Sequence, residues 1–566
     1  MLDVGDKRIR LATSLHLAPG SLAQAVDATR SAADRAAAGL WRRDPATWGA
    51  DAETQKKILD RLGWLTSPHA MAAAVDRLTA FAGAVRRDGF TDIVLLGMGG
   101  SSLAPEVIRA VIGVAPGWPR FHMLDSTDPA AVRAASTPPD RTLYLLASKS
   151  GTTIEPNSLA AYFRQRLTDA GIARWTDHLV AITDDGTALA RRAQSEQFRD
   201  LFLNPPDIGG RYSALSFFGL VPAALMGVDI AALLGWGEAM LAASDPNRTP
   251  SLTNPAVALG LAIGAAAQAG RDKLTLVLPP RLEPFGLWVE QLIAESTGKH
   301  GTGVVPIAGE PLAEPAQYGP DRLFVNVRTE PDGGLNIGEA PVVDIELAEP
   351  LALGAEFIRW EIATAIAGAI LEINPFDEPN VQQAKDATRK LLDQFPSAGR
   401  LPDQTPDHMI DNIAVTFSTA ARRRLTGRGV DAFLSLVAPG DYAAVLAYVG
   451  PDPDLAQALQ ELRRHIRART RAATMFGYGP RYLHSTGQLH KGGPNTGVFV
   501  LITAAPQHDL PIPGEPFSFG TLEMAQALGD FASLEAAGRR ALHAHLPEPA
   551  PRRIRALADV LLARLH

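Results

Sequence analysis

Two sets of short apolar runs, four in each, constrain the fold of this 566-residue chain more than any other feature. The first set is DIVLLG (92–97), FHMLD (121–125), TLYLLAS (142–148) and HLVAITD (178–184). The second is KLTLVLPP (273–280), GVVPIAG (303–309), LFVNV (323–327) and VVDIEL (342–347). None alternates strictly between apolar and polar residues, and helix-sized segments separate them. That is the pattern of strands covered on both faces, in a parallel α/β sheet wound with helices. A chain of this length exceeds a single core, so the two sets predict two tandem doubly wound α/β domains, 89–250 and 251–395. The break falls near SDPNRTPSLTNP (244–255). Before them, residues 1–88 read as helical: PGSLAQAVDATRSAADRAAAGLW is alanine-rich, with Ser21 placed as an N-cap. After them, 396–566 reads as a further α/β region. It carries a helix in PDLAQALQELRRHIRARTRAA and strands at AAVLAYV (443–449) and GVFVLIT (497–503).

Composition narrows the function. A formal charge of −7 supplies no basic surface to release counterions from nucleic acid. No stretch is long and apolar enough to span a bilayer, and MLDVGDKRIR lacks the apolar centre of a signal peptide. The absence of cysteine excludes disulfides and thiolate metal sites and points to a reducing cytoplasm. The histidines are scattered, with no pair at metal-ligand spacing, so no metal is expected.

Four stretches carry candidate chemistry. Strand DIVLLG runs into Gly97-Met98-Gly99-Gly100-Ser101-Ser102 and then a helix, so backbone N–H groups could approach an anion at the helix N-terminus. A dinucleotide site would begin similarly, with Asp125 on the ribose, but it wants a third glycine where Ser102 stands. The next loop, in LLASKSGTTIEP (145–156), sets Ser148, Lys149, Ser150, Thr152 and Thr153 around Gly151. Read alone it is a Ser/Thr-rich capped turn; beside the first loop it suits a compact phosphate. In PPDIGGRYSALSFFG (205–219), Gly209 and Gly210 clear space for Arg211. In EPFGLWVEQLIAESTGKHG (283–301), Gln291 and Glu295 are one helical turn apart and share a face. Such a carboxylate is either a solvated group near a helix end or a general base in a partly apolar site.

The motifs LLGMGGSS, ASKSGTT, GGRYSALS, QLIAESTGK and INPFDEPNVQQAK occur in the order found in phosphoglucose isomerases, over residues 90–390. The chain resembles most the isomerase half of bacterial fused transaldolase–phosphoglucose isomerases, and the transaldolase half is not apparent. The resemblance implies two flavodoxin-like sugar-isomerase domains and a cytoplasmic enzyme that interconverts glucose 6-phosphate and fructose 6-phosphate without a cofactor. It assigns Gly100, Ser101, Ser148, Lys149, Ser150 and Thr153 to the phosphate, and Gln291 to a ligand contact. Glu295 falls on the base working through a cis-enediol, Arg211 on the group stabilising the enediolate, and Lys385 on a lysine that assists ring opening. A ring-opening histidine, borrowed from a partner subunit in longer relatives, has its nearest match in LHSTGQLHKGGPNTG (483–497). There His490 is the first choice, supplied by this same chain, with His484 and Lys491 beside it and His300 as a third candidate. FGTLEMAQALGD (519–530) echoes a family C-terminal helix, with Gln526 where lysine is expected. The resemblance also allows a homodimer and a transaldolase as functional partner. Two alternatives stay open: a dual phosphoglucose/phosphomannose isomerase, and a non-catalytic sugar-phosphate-binding regulator.

Overall fold

The computed structural model describes residues 4–329, 335, 337–402 and 404–565. The first apolar set forms a wholly parallel sheet in the order Arg120–Leu124, Asp92–Gly97, Thr142–Ala147, Leu179–Asp184, Asp200–Asn204. In sequence rank this is 2-1-3-4-5, the flavodoxin-like doubly wound order. The fifth strand, Asp200–Asn204, is missing from the sequence reading. It lies at the sheet edge with Leu203 exposed, so its text (DLFLN) lacks the continuous apolar run of a covered strand.

The second set forms another parallel sheet: Val305–Ile307, Lys273–Val277, Arg322–Arg328 and Val342–Glu346. Its last edge is closed by an antiparallel strand from the other end of the sequence, Leu15–Ala18, with Leu15 opposite Ile345. The N-terminal segment is therefore helical apart from this one strand. A four-residue strand with alternating exposure gives no signal among alanine-rich helices. Helix Ala23–Trp41 packs on Val257–Gln268 and Leu353–Ile370 beside the second sheet, whereas Val75–Arg87 packs on Phe217–Leu225 beside the first. Helix Leu353–Ile370 is buried along almost its whole length, as a helix apolar on most of its faces must be, and its buried Arg359 pairs with Glu356 at 3.0 Å.

Residues beyond 400 build a third sheet, in the order His408–Ile410, Ile413–Phe417, Arg540–Leu546, Gly497–Ala504, Tyr442–Tyr448, Ala473–Tyr478. The last four strands are parallel and the first two antiparallel. Helices Pro453–Thr470 and Pro551–Leu562 cover one face. Phe519–Ala536, begun by Ser518 whose Oγ accepts from Thr521 N–H at 3.2 Å, covers the other. That second face is closed jointly by the core of the chain: Ala294, Val305 and Ile307 share one cluster with Tyr442, Phe499 and Phe531. Phe519, Leu522 and Ala525, with Leu392 of helix Val381–Ala398, fill the open face of the first sheet. At about 1.5–3 kcal/mol for each large apolar side chain buried, these contacts dock the C-terminal region firmly against both preceding sheets. They also seal helix Glu283–Thr297, which carries Glu295, between the second sheet and the third.

Candidate active site

Strands Asp92–Gly97 and Thr142–Ala147 are parallel neighbours on either side of the point where the strand order reverses, so the loops after them flank the ligand crevice of a doubly wound sheet. The first loop is a meeting point that admits only glycine. A Cβ on Gly100 would lie 2.0 Å from Gly210 O. At Gly99 (φ +54°) it would lie 2.6 Å from His484 O and 2.9 Å from Gln291 Nε2. Ser101 is buried in this turn. In the second loop Ser148 Oγ and Thr153 Oγ1 are 2.9 Å apart, and Gly151 N–H donates to Ser148 Oγ at 3.1 Å. Ser150 and Thr152 stay exposed with their hydroxyls 3.1 Å apart. Thr153 precedes helix Ile154–Asp169, so unpaired N–H groups and short hydroxyls converge there, the chemistry that holds an anion. Lys149 is turned the other way: its ammonium pairs with Asp184 and donates to Pro206 O at 3.3 Å, at the neighbouring strand ends.

Helix Glu283–Thr297 presents Gln291 and Glu295 on one face, as their spacing requires. Gln291 Nε2 donates to Glu295 Oε2 at 3.2 Å and to His484 O at 2.8 Å. Glu295 Oε1 lies 3.4 Å from Arg211 Nη1. Arg211, only 3% exposed, donates to Ser296 Oγ at 2.8 Å, Glu378 Oε2 at 2.9 Å, Pro375 O at 2.8 Å and Asp377 O at 2.9 Å. Lys299 Nζ, one turn beyond Glu295, donates to Asn374 O at 2.8 Å and Asp377 Oδ1 at 2.6 Å. The INPFDEP segment is thus clamped by two buried cations. Burial pushes the Glu295 carboxyl above the usual carboxylate range, helped by Glu378 and opposed by Arg211. Burial works against charge on Arg211, but Glu295 and Glu378 outweigh it and hold the guanidinium above its ordinary value. Lys299 is pushed down to about 8 by burial and by Arg211.

The third contribution comes from the C-terminal region. His484, at the end of the turn Arg481–His484, places Nε2 2.8 Å from Glu155 Oε1. Glu155 stands two residues beyond Thr153, in the first turn of helix Ile154–Asp169, and is 3% exposed. Although burial opposes it, His484 and Lys385 hold this carboxyl below its usual range. His484, Glu155 and Lys385 line one cavity of about 530 Å³ together with Ser150, Thr152 and Thr153. That volume lies within the range of small-molecule sites. Among the described residues, no three His, Asp or Glu side chains are grouped to hold a metal ion.

The three histidine candidates are separated by their surroundings. His490, the sequence's first choice, is 1% exposed in a box of Tyr442, Tyr482 and Phe499, with ring centroids 6.4, 6.0 and 5.1 Å away. Neither of its ring nitrogens has a hydrogen-bond partner, and burial drives its pKa well below the ordinary value. His490 therefore stays neutral and out of the cavity, because its short helix Gly487–Gly492 turns that ring into the third domain's core. His300 is exposed in a turn at φ +55°. His484 is the one that reaches the cavity. Sequence reasoning passed over Glu155, Ser296, Lys299 and Glu378. For Glu155 a signal was present: an acidic residue in the first helical turn, which reads equally well as a partner for the helix dipole.

The phosphoglucose isomerase family model matches residues 73–306. The glucose-6-phosphate isomerase of Nostoc sp. is 34% identical over 389 residues, covering 58% of this chain and 72% of that protein. That of Rubrobacter xylanophilus is 29% identical over 366 residues, covering 54% and 83%. A crystal structure of a hypothetical protein from Thermus thermophilus superposes on 66% of this chain and 99% of its own. Its TM-score is 0.54 at 24% identity, which shows a shared fold.

Proposed function

This chain belongs to the phosphoglucose isomerase family, and from that premise we propose that it interconverts glucose 6-phosphate and fructose 6-phosphate by ring opening and proton transfer through a cis-enediol. The observation that carries the reading is the pair of hydrogen bonds from Gln291, which ties the Glu295–Arg211 pair to the backbone of His484. One amide thereby joins the proton-transfer group to the ring-opening group.

In this reading the phosphate rests on the hydroxyls and helix N–H groups of the 148–153 loop, with Ser101 and Gly100 beside it. With Nε2–H donated to Glu155, His484 keeps its Nδ1 lone pair free to accept the sugar's O1 proton. Lys385 supplies a proton to the ring oxygen as the C1–O5 bond breaks. Glu295 then takes the C2 proton and returns it to C1, while the guanidinium of Arg211 offsets the negative charge that develops on the enediolate. Ring opening is completed within one chain, so a homodimer, if formed, is not needed for it. Lys149 reaches a phosphate only by giving up Asp184. A non-catalytic regulator needs the anion loops alone; the buried Glu295–Arg211–Gln291 group favours the enzyme.

The test is conversion of fructose 6-phosphate to glucose 6-phosphate by the purified chain, without added metal, followed through a coupled dehydrogenase. Turnover is expected; its absence, with sugar phosphate still raising Tm, would sustain the regulator instead. His484→Asn is expected to lower kcat by about 10²-fold, within the usual contribution of a positioned acid–base group. His490→Asn should lose less than about threefold once folded, since that ring lies outside the cavity and a positioned acid–base group would cost far more. The reverse ranking would restore His490.

A further inference from the structure

We infer that Gln526, anchored by Thr127, is a positioning residue for ring opening: it fixes the Glu155 carboxylate that in turn orients His484. This rests on the isomerase reading above and deepens it. Gln526 Nε2 donates to Glu155 Oε1 at 2.7 Å, and Thr127 Oγ1 donates to Gln526 Oε1 at 2.9 Å. The same Glu155 oxygen takes the 2.8 Å bond from His484 Nε2. Thr127, Gln526 and Glu155 are at most 3% exposed, so the bonds among these three are shielded from bulk solvent.

The arrangement has one consistent sense. The ionised Glu155 carboxylate only accepts, so the NH₂ end of Gln526 must face it, and the amide oxygen is left to take the Thr127 hydroxyl. A carboxylate that receives a fixed N–H donor cannot rotate, and its oxygen then selects the Nε2–H tautomer of His484, leaving Nδ1 for the substrate. Three distant parts of the sequence meet here: the loop after the second strand of the first sheet in chain order, the first turn of helix Ile154–Asp169, and helix Phe519–Ala536 of the C-terminal region. An amide cannot act as a proton donor to the ring oxygen as a lysine would, so Gln526 orients and Lys385, across the same cavity, supplies the proton.

Ring opening has its own readout. An opened sugar can close on either face, so an enzyme that opens the ring interconverts the α and β anomers of glucose 6-phosphate even when proton transfer at C2 is blocked. Exchange NMR on glucose 6-phosphate with wild type, Gln526→Leu and Glu295→Gln separates the two steps. Gln526→Leu is expected to slow anomer exchange and isomerisation together by about 10-fold with KM within about threefold, as loss of a group that orients another does. Glu295→Gln, by contrast, keeps anomer exchange and loses isomerisation. Should Gln526→Leu fail to fold, Thr127→Val gives the same pairing of losses at about threefold, since it unfastens the oxygen end of the amide and leaves only the Glu155 bond to hold it. Wild-type anomer exchange in the folded variant, or a loss confined to KM, overturns the inference while leaving the isomerase reading intact. A wild-type chain that neither isomerises nor exchanges anomers overturns both.

Discussion

Glu295→Gln is expected to lower isomerisation kcat by at least about 10³-fold while sugar phosphate still protects the protein against unfolding. The size follows from what is removed. An amide can hold the hydrogen bond from Gln291 Nε2 to its oxygen, but it cannot accept the C2 proton, and no other carboxylate lies on that face of helix Glu283–Thr297. Binding survives because the 148–153 loop is untouched. The wild-type pH profile carries a second check. The base must be ionised, and burial raises its pKa, so kcat/KM should fall, as pH is lowered, at a midpoint above the ordinary carboxylate range near about 4.3. The linkage has a definite sign. A carboxyl whose folded-state pKa is raised costs stability as pH climbs from its unfolded value through its folded one. Glutamine never ionises, so Tm of Glu295→Gln at neutral pH should not fall below wild type. Near-normal turnover in this variant would remove Glu295 from the role of base.

Arg211→Ala should be the most damaging single change to the fold and the site together. The guanidinium answers two carboxylates, one hydroxyl and two backbone carbonyls, and a methyl group answers none of them. Removing one partner of a buried ion pair typically costs about 3–5 kcal/mol, because the other charge remains without its counterion. Here that charge is Glu295; Glu378 is 42% exposed and can turn to water. Calorimetric or denaturant unfolding should show the loss, and turnover should fall by about 10²–10³-fold as a charge-stabilising donor disappears. Without Arg211 the largest influence that lowers the Glu295 pKa is gone, so residual activity should appear only at higher pH than in wild type. Arg211→Lys is expected to recover part of the stability and little of the rate, since one ammonium cannot span Ser296, Glu378 and the 375–377 carbonyls at once. Unchanged stability in Arg211→Ala would mean the INPFDEP segment is held by Lys299 alone.

Local text predicts most of the first two sheets and the position of the two loops at the switch point, and for a physical reason. A strand covered on both faces must be continuously apolar, and a turn residue whose Cβ would collide with a facing backbone, as Gly100 would with Gly210 O, must be glycine. The one-turn spacing of Gln291 and Glu295 is likewise a property of the α-helix and needs no tertiary information. Where partners lie far apart in sequence, such rules are silent. The edge strand Leu15–Ala18 finds its place only because Val342–Glu346 leaves an unpaired edge. Asp184 claims Lys149 across a loop crossing that no spacing encodes. The sequence pattern predicts only two of the six strands of the third sheet; of the other four, two are short and antiparallel at its margin.

The sharpest contrast is between His484 and His490. In sequence they are equivalent: two histidines six residues apart in a glycine-rich stretch. Their fates diverge because helix Gly487–Gly492 packs one ring among Tyr442, Tyr482 and Phe499 and the preceding turn aims the other at Glu155. Sequence alone determines that this chain builds doubly wound sheets with two glycine- and hydroxyl-rich loops at the switch point and a carboxylate–amide pair on one helical face. Which histidine, which lysine and which carboxylate line the cavity is decided by long-range packing of the C-terminal region, because burial and orientation are properties of neighbours that the local chain does not contain.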